Sequence, residues 1–370
     1  MKTNLKIYEM PLLYLTILLI LFGTVMQYSA SSTLAINKFG WNNYNFYLSK
    51  HIIRLIIGLI AMIAMYNIPF KILKKYSKNI LYVSWIILLS AYFFNNGVTR
   101  RFLIINGHNI FTTSDFARFA LIIFTASFIS SNKKNINNIK VIFSNYLIFV
   151  IITLGLILFQ PDLSSTFIIS IILISMLIVG GLKLKFIANL AFIGSSIISF
   201  AIMFFPYMRK RFGEWFSNSN PDPTSQVERA KQALHNGGLT GNGVGDSIIK
   251  EGFMAEVHTD FILPIIGEEL GFIGIIILFI LFATFYILSI KISKRAPDIF
   301  SSMLSLGIAF TIIYYFLINS AYVVGIIPPT GLAIPFISYG GSHTLFTLIG
   351  VGVLLNISKF YNIYKHNYLR

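Results

Sequence analysis

The sequence predicts an all-α polytopic membrane protein of about ten transmembrane helices, with one large extracytoplasmic loop ahead of the eighth. Three observations predict it. Of the 370 residues, 56% are hydrophobic and 11% charged, and the mean hydropathy of +0.75 lies far above that of soluble domains. Apolar runs of roughly 20 residues, the length that crosses a hydrocarbon core, recur along the whole chain and leave room for one sizeable loop. The lysines and arginines gather in short clusters between those runs rather than in one patch.

Residues 11–30 form the first run. It is longer than the apolar core of a signal peptide and is followed by further spans, so it is read as a retained anchor. Spans follow at about 51–68, 79–95, 115–131, 140–159, 163–181, 184–206, 265–290, 300–323 and 341–358. Only Gln160, Pro161 and Asp162 part the fifth from the sixth, and the proline forces the break. With the N-terminus inside, Lys71, Lys74, Lys75, Lys78, Lys133, Lys134, Lys291, Lys294 and Arg295 fall on the cytoplasmic side. The short outer loops hold only Lys38, Lys50, Arg100 and Arg101, so both termini are expected in the cytoplasm. Seven spans then precede the loop 207–264, which faces outward within a single integral domain, 1–370. No internal repeat is visible, which disfavours transporters built from duplicated halves.

The net charge of +16 does not point to nucleic acid, because no basic module interleaved with aromatic residues exists. The chain has no cysteine, which excludes disulfides, thiol chemistry and Cys-based metal sites.

An ionised group inside a bilayer costs roughly 2.5 to 3.5 kcal/mol on insertion scales, so those that persist face a partner or a cavity. Arg54 lies in the second span. Asp115 and Arg118 open the fourth, behind Ser114, the better cap candidate; Asp162 ends the fifth, where it either caps the sixth or serves a site. Glu268 and Glu269 enter the eighth.

The segment EVHTDFILPIIGEELG, residues 256–271, places His258, Thr259 and Asp260 at the outer boundary, where water reaches them. Asp260 either caps the eighth span or acts as a general base whose apolar neighbours, Phe261 and Ile262, tune it. On a continuous helix Glu268 lies about 12 Å further along and about 80° around. That is no glycosidase pair, whose carboxyls stand roughly 5 to 9.5 Å apart, unless Pro264 folds the segment back. Upstream, NGGLTGNGVGDS (236–247) is not a dinucleotide loop, since no strand precedes it. Its glycines either supply flexibility or turn backbone amides toward a diphosphate, with Lys250 beside them.

Together these residues resemble the SEDS family (shape, elongation, division and sporulation), that of FtsW and RodA. The matching stretches are TTSDFAR (112–118), QPDLSS (160–165), the glycine run ending in GDS, HTDFI (258–262), GEELGFIG (267–274) and PPTGLAIPFISYGGS (328–342). The segment SQVERAKQALHNGGLTGNG, after Asp222 and Pro223, looks more like the division branch than the elongation branch. The chain departs from the family's usual residues at Thr112, Thr113, Asp115, Arg118, Met254, Ala255 and His343.

The resemblance implies a peptidoglycan glycosyltransferase. It would polymerise lipid II, an undecaprenyl-diphosphate-linked disaccharide-pentapeptide, at the outer face of the bacterial cytoplasmic membrane, at the division septum. Asp260 takes the position of the family's essential aspartate. His258, Thr259, Glu268, Lys250, Arg101, Arg118, Arg54, Ser338 and Gly340 are the expected substrate contacts, and Arg209 and Arg211 are further cations that the diphosphate could meet. No cofactor is certain; a divalent cation, Mg2+ or Mn2+, would suit the leaving group. A class B penicillin-binding protein and other division proteins are the implied partners. A lipid II flippase, the elongation polymerase, an ion-coupled transporter and a noncatalytic scaffold are the rival readings.

Overall fold

A computed structural model describes residues 8–95, 100–105, 108–183, 185–186, 225–250 and 258–368, together with residues 203, 209 and 213. The seventh expected span and Arg211 fall almost wholly outside these residues, as does much of the large loop.

The described chain is helical, with one hairpin. Helices α1 (Glu9–Phe39), α2 (Phe46–Asn67), α3 (Phe70–Lys75) and α4 (Ser77–Phe94) come first. Strands β1 (Phe102–Ile105) and β2 (His108–Thr112) pair antiparallel, and α5 (Thr113–Ser131) follows directly. Then come α6 (Ile139–Phe159, with a π-helical turn at Phe143–Leu147), α7 (Leu163–Gly180), α8 (Gln226–Gly237), α9 (Ile262–Lys294), α10 (Ile299–Val323) and α11 (Gly341–Tyr368). Nine helical segments among the described residues are long and apolar enough to cross a membrane, and they answer to nine of the ten expected spans. Sequence reading did not find the hairpin, α3 or α8.

The centre of the bundle is α5, α10 and α11, whose side chains are mostly buried; α1, α2, α4, α6, α7 and α9 surround them and turn rows of Ile, Leu and Phe outward. Local chemistry sets several helix ends. The Asp162 carboxylate accepts from the Ser165 amide (3.2 Å), so it does cap α7. At the other end Gly181 adopts a left-handed conformation and its amide donates back to Ile178. Ser114 is not the cap expected of it: α5 starts two residues earlier, with Thr112 in the cap position, and the Ser114 hydroxyl donates to Asp162 Oδ2 (2.8 Å). Pro264 sits in the first turn of α9, where its missing amide removes no helical bond. It therefore does not fold the segment back.

Helix α9 is broken at Gly271 (φ 67°, ψ −169°), and the break is an exchange of partners. In an unbroken helix the amides of Phe272 and Ile273 would donate to the carbonyls of Glu268 and Glu269. Here those carbonyls accept from the amides of Asn242 and Gly243 (both 3.0 Å), while Phe272 and Ile273 donate to Gly238 (2.9 Å) and Leu239 (3.1 Å). The glycine loop after α8 thus inserts into the helix as a clasp. Only glycine fits both sides of it: a Cβ at Gly271 would stand 2.4 Å from the Gly241 amide, and one at Gly241 would stand 2.2 Å from the Glu269 carbonyl.

Candidate active site

Residues 258–260 form a short turn immediately before α9. Asp260 is part-buried in it, and one carboxylate oxygen accepts from the Thr259 hydroxyl (2.8 Å). The other faces Gly331, where even a Cβ would stand at 3.5 Å. Asp260 does not cap the helix with its side chain; Phe261 occupies the cap position.

The backbone of the turn is held from three directions. The His258 carbonyl accepts from Gln27 Nε2 of α1 (2.7 Å) and from the Tyr339 amide (2.9 Å). The Asp260 carbonyl accepts from Asn319 Nδ2 of α10 (2.8 Å) and from the Tyr322 hydroxyl. The opposing wall is the loop 327–340, folded by a bond from the Ile334 amide to Ser338 Oγ (2.8 Å). Gly340 packs between Ala333 and His343 in the same wall.

A group of rings lies beside the turn. The His258 imidazole sits 4.7 Å from Tyr47 and 5.1 Å from Tyr339. The Arg54 guanidinium lies over Tyr339 at 4.6 Å, a geometry that orients the cation without neutralising it. Partial burial holds the Tyr339 phenol above its ordinary range against the opposing pull of Arg54, so the phenol stays protonated. Of the expected site residues, His258, Thr259, Asp260, Arg54, Ser338 and Gly340 therefore come together here.

Arg118 belongs to a second network. It is buried, paired with Asp115 (2.8 Å), and donates to the Tyr315 hydroxyl. His343 stacks on Tyr315 (4.5 Å) and brings Nδ1 to 3.6 Å from Asp115. Ser342 joins this network to the hairpin by accepting from the Thr112 amide (2.6 Å). Arg101 stands at the hairpin base, its guanidinium 5.3 Å from the Phe102 ring and its carbonyl accepting from the Thr113 amide (3.0 Å).

Glu268 and Lys250 form a third group, with a structural task. Lys250 is buried against Glu269 (3.2 Å) and donates to the Gly245 carbonyl. Glu268 accepts from Ser247 Oγ (2.5 Å), and Glu269 from Ser29 Oγ (2.5 Å). These bonds tie the clasp to α9 and α1. The amides of Gly241, Asn242 and Gly243 are likewise spent on carbonyls, so these three amides and the Lys250 ammonium are already engaged within the clasp.

Among the described residues no three acidic or histidine side chains gather as a metal site. Sequence reading missed Gln27, Tyr47, Asn319, Tyr322 and Tyr339 as neighbours of the turn. The signal for Gln27 and Asn319 was present, since each is a carboxamide inside a span.

Across residues 10–363 the chain matches the profile of the FtsW, RodA and SpoVE family, described as a cell cycle protein. It is 34% identical over 358 residues, 95% of this chain and 93% of the relative, to the probable peptidoglycan glycosyltransferase FtsW of Trichlorobacter lovleyi. To stage V sporulation protein E of Bacillus subtilis it is 33% identical over 358 residues, 95% of this chain and 97% of the relative. A chain from the solved structure described as "structural coordination of polymerization and crosslinking by a peptidoglycan synthase complex" shares the fold, with a TM-score of 0.76 at 19% identity over 94% of this chain and 97% of that one. With its spans, its HTDFI turn and its PPTGLAIPFISYGGS loop in the family's order, the chain belongs to the FtsW, RodA and SpoVE family of multi-pass membrane proteins, the SEDS family.

Proposed function

We propose that this protein is a peptidoglycan glycosyltransferase that polymerises lipid II during septal wall synthesis, with Asp260 as its general base. The observation that carries the reading is the Asp260 turn itself: a carboxylate at the end of a membrane bundle, faced by a glycine and flanked by rings and the Arg54 guanidinium. Such a border suits a substrate that is half polyprenyl chain and half sugar.

In the proposed reaction the acceptor sugar's 4-hydroxyl oxygen attacks the anomeric carbon of the donor chain. Its proton passes to the Asp260 carboxylate as the new C–O bond forms and the bond to the diphosphate breaks, with inversion and no covalent enzyme intermediate. The diphosphate leaves with the bonding pair and needs charge stabilisation more than a proton. Arg54 is the cation best presented for it; Arg118 is engaged with Asp115 and the Tyr315 hydroxyl. A bound divalent cation would supply Lewis-acid stabilisation of the same charge.

The family relationship and the probable FtsW at 34% identity support the division role. We place the protein in the cytoplasmic membrane at the septum with both termini cytoplasmic, working with a class B penicillin-binding protein that crosslinks the new strand and with other division proteins. The peptidoglycan synthase complex that contains the structural neighbour supports such a pairing. The test is lipid II polymerisation by the chain with its partner, with and without chelator. Asp260→Ala should abolish glycan lengthening at normal membrane insertion. Full activity in that variant would refute the assignment, and movement of fluorescent lipid II across liposomes without chain growth would favour a flippase.

A further inference from the structure

Two side-chain amides brace the Asp260 turn in the same way from opposite helices. Gln27 Nε2 donates to the His258 carbonyl (2.7 Å) and to the Ile337 carbonyl (3.0 Å). Asn319 Nδ2 donates to the Asp260 carbonyl (2.8 Å) and to the Leu332 carbonyl (2.7 Å). Each therefore joins one carbonyl of the turn to one carbonyl of the 327–340 loop. Leu332 follows Gly331, the residue that faces the Asp260 carboxylate, so the bridges set the spacing between the carboxylate and the wall opposite it.

The chemistry requires this side chain. A carboxamide nitrogen carries two hydrogens and no charge, so it can serve two carbonyls at once; a carboxylate has none to give, and a hydroxyl has one. The reversed amide would point its oxygen at two carbonyl oxygens, which fixes the orientation. Both side chains are buried, at 1% and 0% exposure. In an otherwise apolar helix a buried amide is costly unless its hydrogens are used; here the backbone bonds of both nitrogens go to the turn and its facing loop, and Asn319 Nδ2 also lies 2.9 Å from the hydroxyl of Tyr322, which itself donates to the Asp260 carbonyl.

We propose that Gln27 and Asn319 are positioning residues for glycosyl transfer, a pair of buried carboxamides that hold the Asp260 carboxylate at working distance from the substrate-facing loop. The inference rests on Asp260 being the base. Neither residue touches substrate; each acts through the backbone. A displacement of about 1 Å at a reacting group costs on the order of 100-fold in rate, so Gln27→Met and Asn319→Leu, which keep size and remove the donors, should each lower kcat by about 10- to 100-fold.

The experiment measures kcat and KM for lipid II with the full chain and its penicillin-binding partner, per folded molecule counted from the monodisperse peak. It compares wild type, Q27M, N319L, the Q27M/N319L double variant and D260A. Each single variant should lose kcat with KM held within about twofold, and the double variant should lose more than the worse single, because each removes one of the two carboxamide bridges on the same turn while the Tyr339 amide and Tyr322 hydroxyl remain. Wild-type kcat in folded Q27M and N319L, or a change confined to KM, overturns the proposal; if N319L does not accumulate folded, Q27M decides alone. An inactive D260A beside fully active Q27M and N319L sinks the positioning role only. An active D260A sinks the base assignment and this inference together.

Discussion

Alanine at Gly271 should open the clasp between the glycine loop and α9. If the break is kept, alanine must adopt a conformation (φ 67°, ψ −169°) that is essentially restricted to glycine and costs on the order of 1–3 kcal/mol. Its Cβ would also overlap the Gly241 amide at 2.4 Å and the Leu239 carbonyl at 2.5 Å. Neither can rotate aside, which adds about 1–3 kcal/mol of overpacking. If α9 straightens instead, four inter-segment bonds give way to two helical ones, a net loss of two at roughly 1 kcal/mol each. The cheaper route therefore costs about 2 kcal/mol, a rise of about 30-fold in the open population. Tryptic cleavage in purified protein reads this at Arg229 and Lys231 of α8 and at Lys250, since cleavage tracks the open population when reclosing is fast. The control is Gly155→Ala in α6, where a Cβ meets nothing within 4 Å and alanine should be neutral or stabilising by up to about 1 kcal/mol. If G271A and G155A are cut at the same rate, the partner exchange does not hold α9 in its broken form.

Two further outcomes follow from the packing around the site. Arg118→Met leaves the Asp115 carboxylate buried without its guanidinium and should cost about 3–5 kcal/mol, most of it recovered in the D115N/R118M double variant; thermal unfolding in detergent measures both, and a double variant as unstable as the single one would contradict the pairing. Gly23→Ala would bring a Cβ to 2.5 Å from the Phe336 carbonyl and 2.8 Å from Ile337 Cα. This pushes α1, and with it Gln27, away from the loop at a cost of about 1–3 kcal/mol; polymerisation should fall further than stability, and an equal fall in both would count against the coupling.

The family motifs and nine of the long apolar runs were legible in the chain because each is local, a run being measured against the bilayer thickness; for Asp162 the chain left a cap and a site role open, and the bond from the Ser165 amide gives the cap. The eighth expected span was likewise right in place and type. What the runs could not reveal was that α9 is broken at Gly271, because the amides that replace its lost bonds come from residues 242 and 243, beyond any periodic pattern.

The site divides in the same way. Arg54 was readable as charge kept where charge is expensive, and His258 and Asp260 as ionisable groups at the water-reachable boundary of a span. Lys250 and Glu268 carried the same signal for a different reason, and only packing separates them: their partners are Glu269, Ser247 and the Gly245 carbonyl, inside the clasp. Gln27 lies 231 residues from His258 and Asn319 lies 59 from Asp260. Composition sets how often an apolar chain crosses a bilayer, since burial depends on each residue's own surface. Which buried amide meets which carbonyl depends on distances between helices, and those exist only once the bundle has closed.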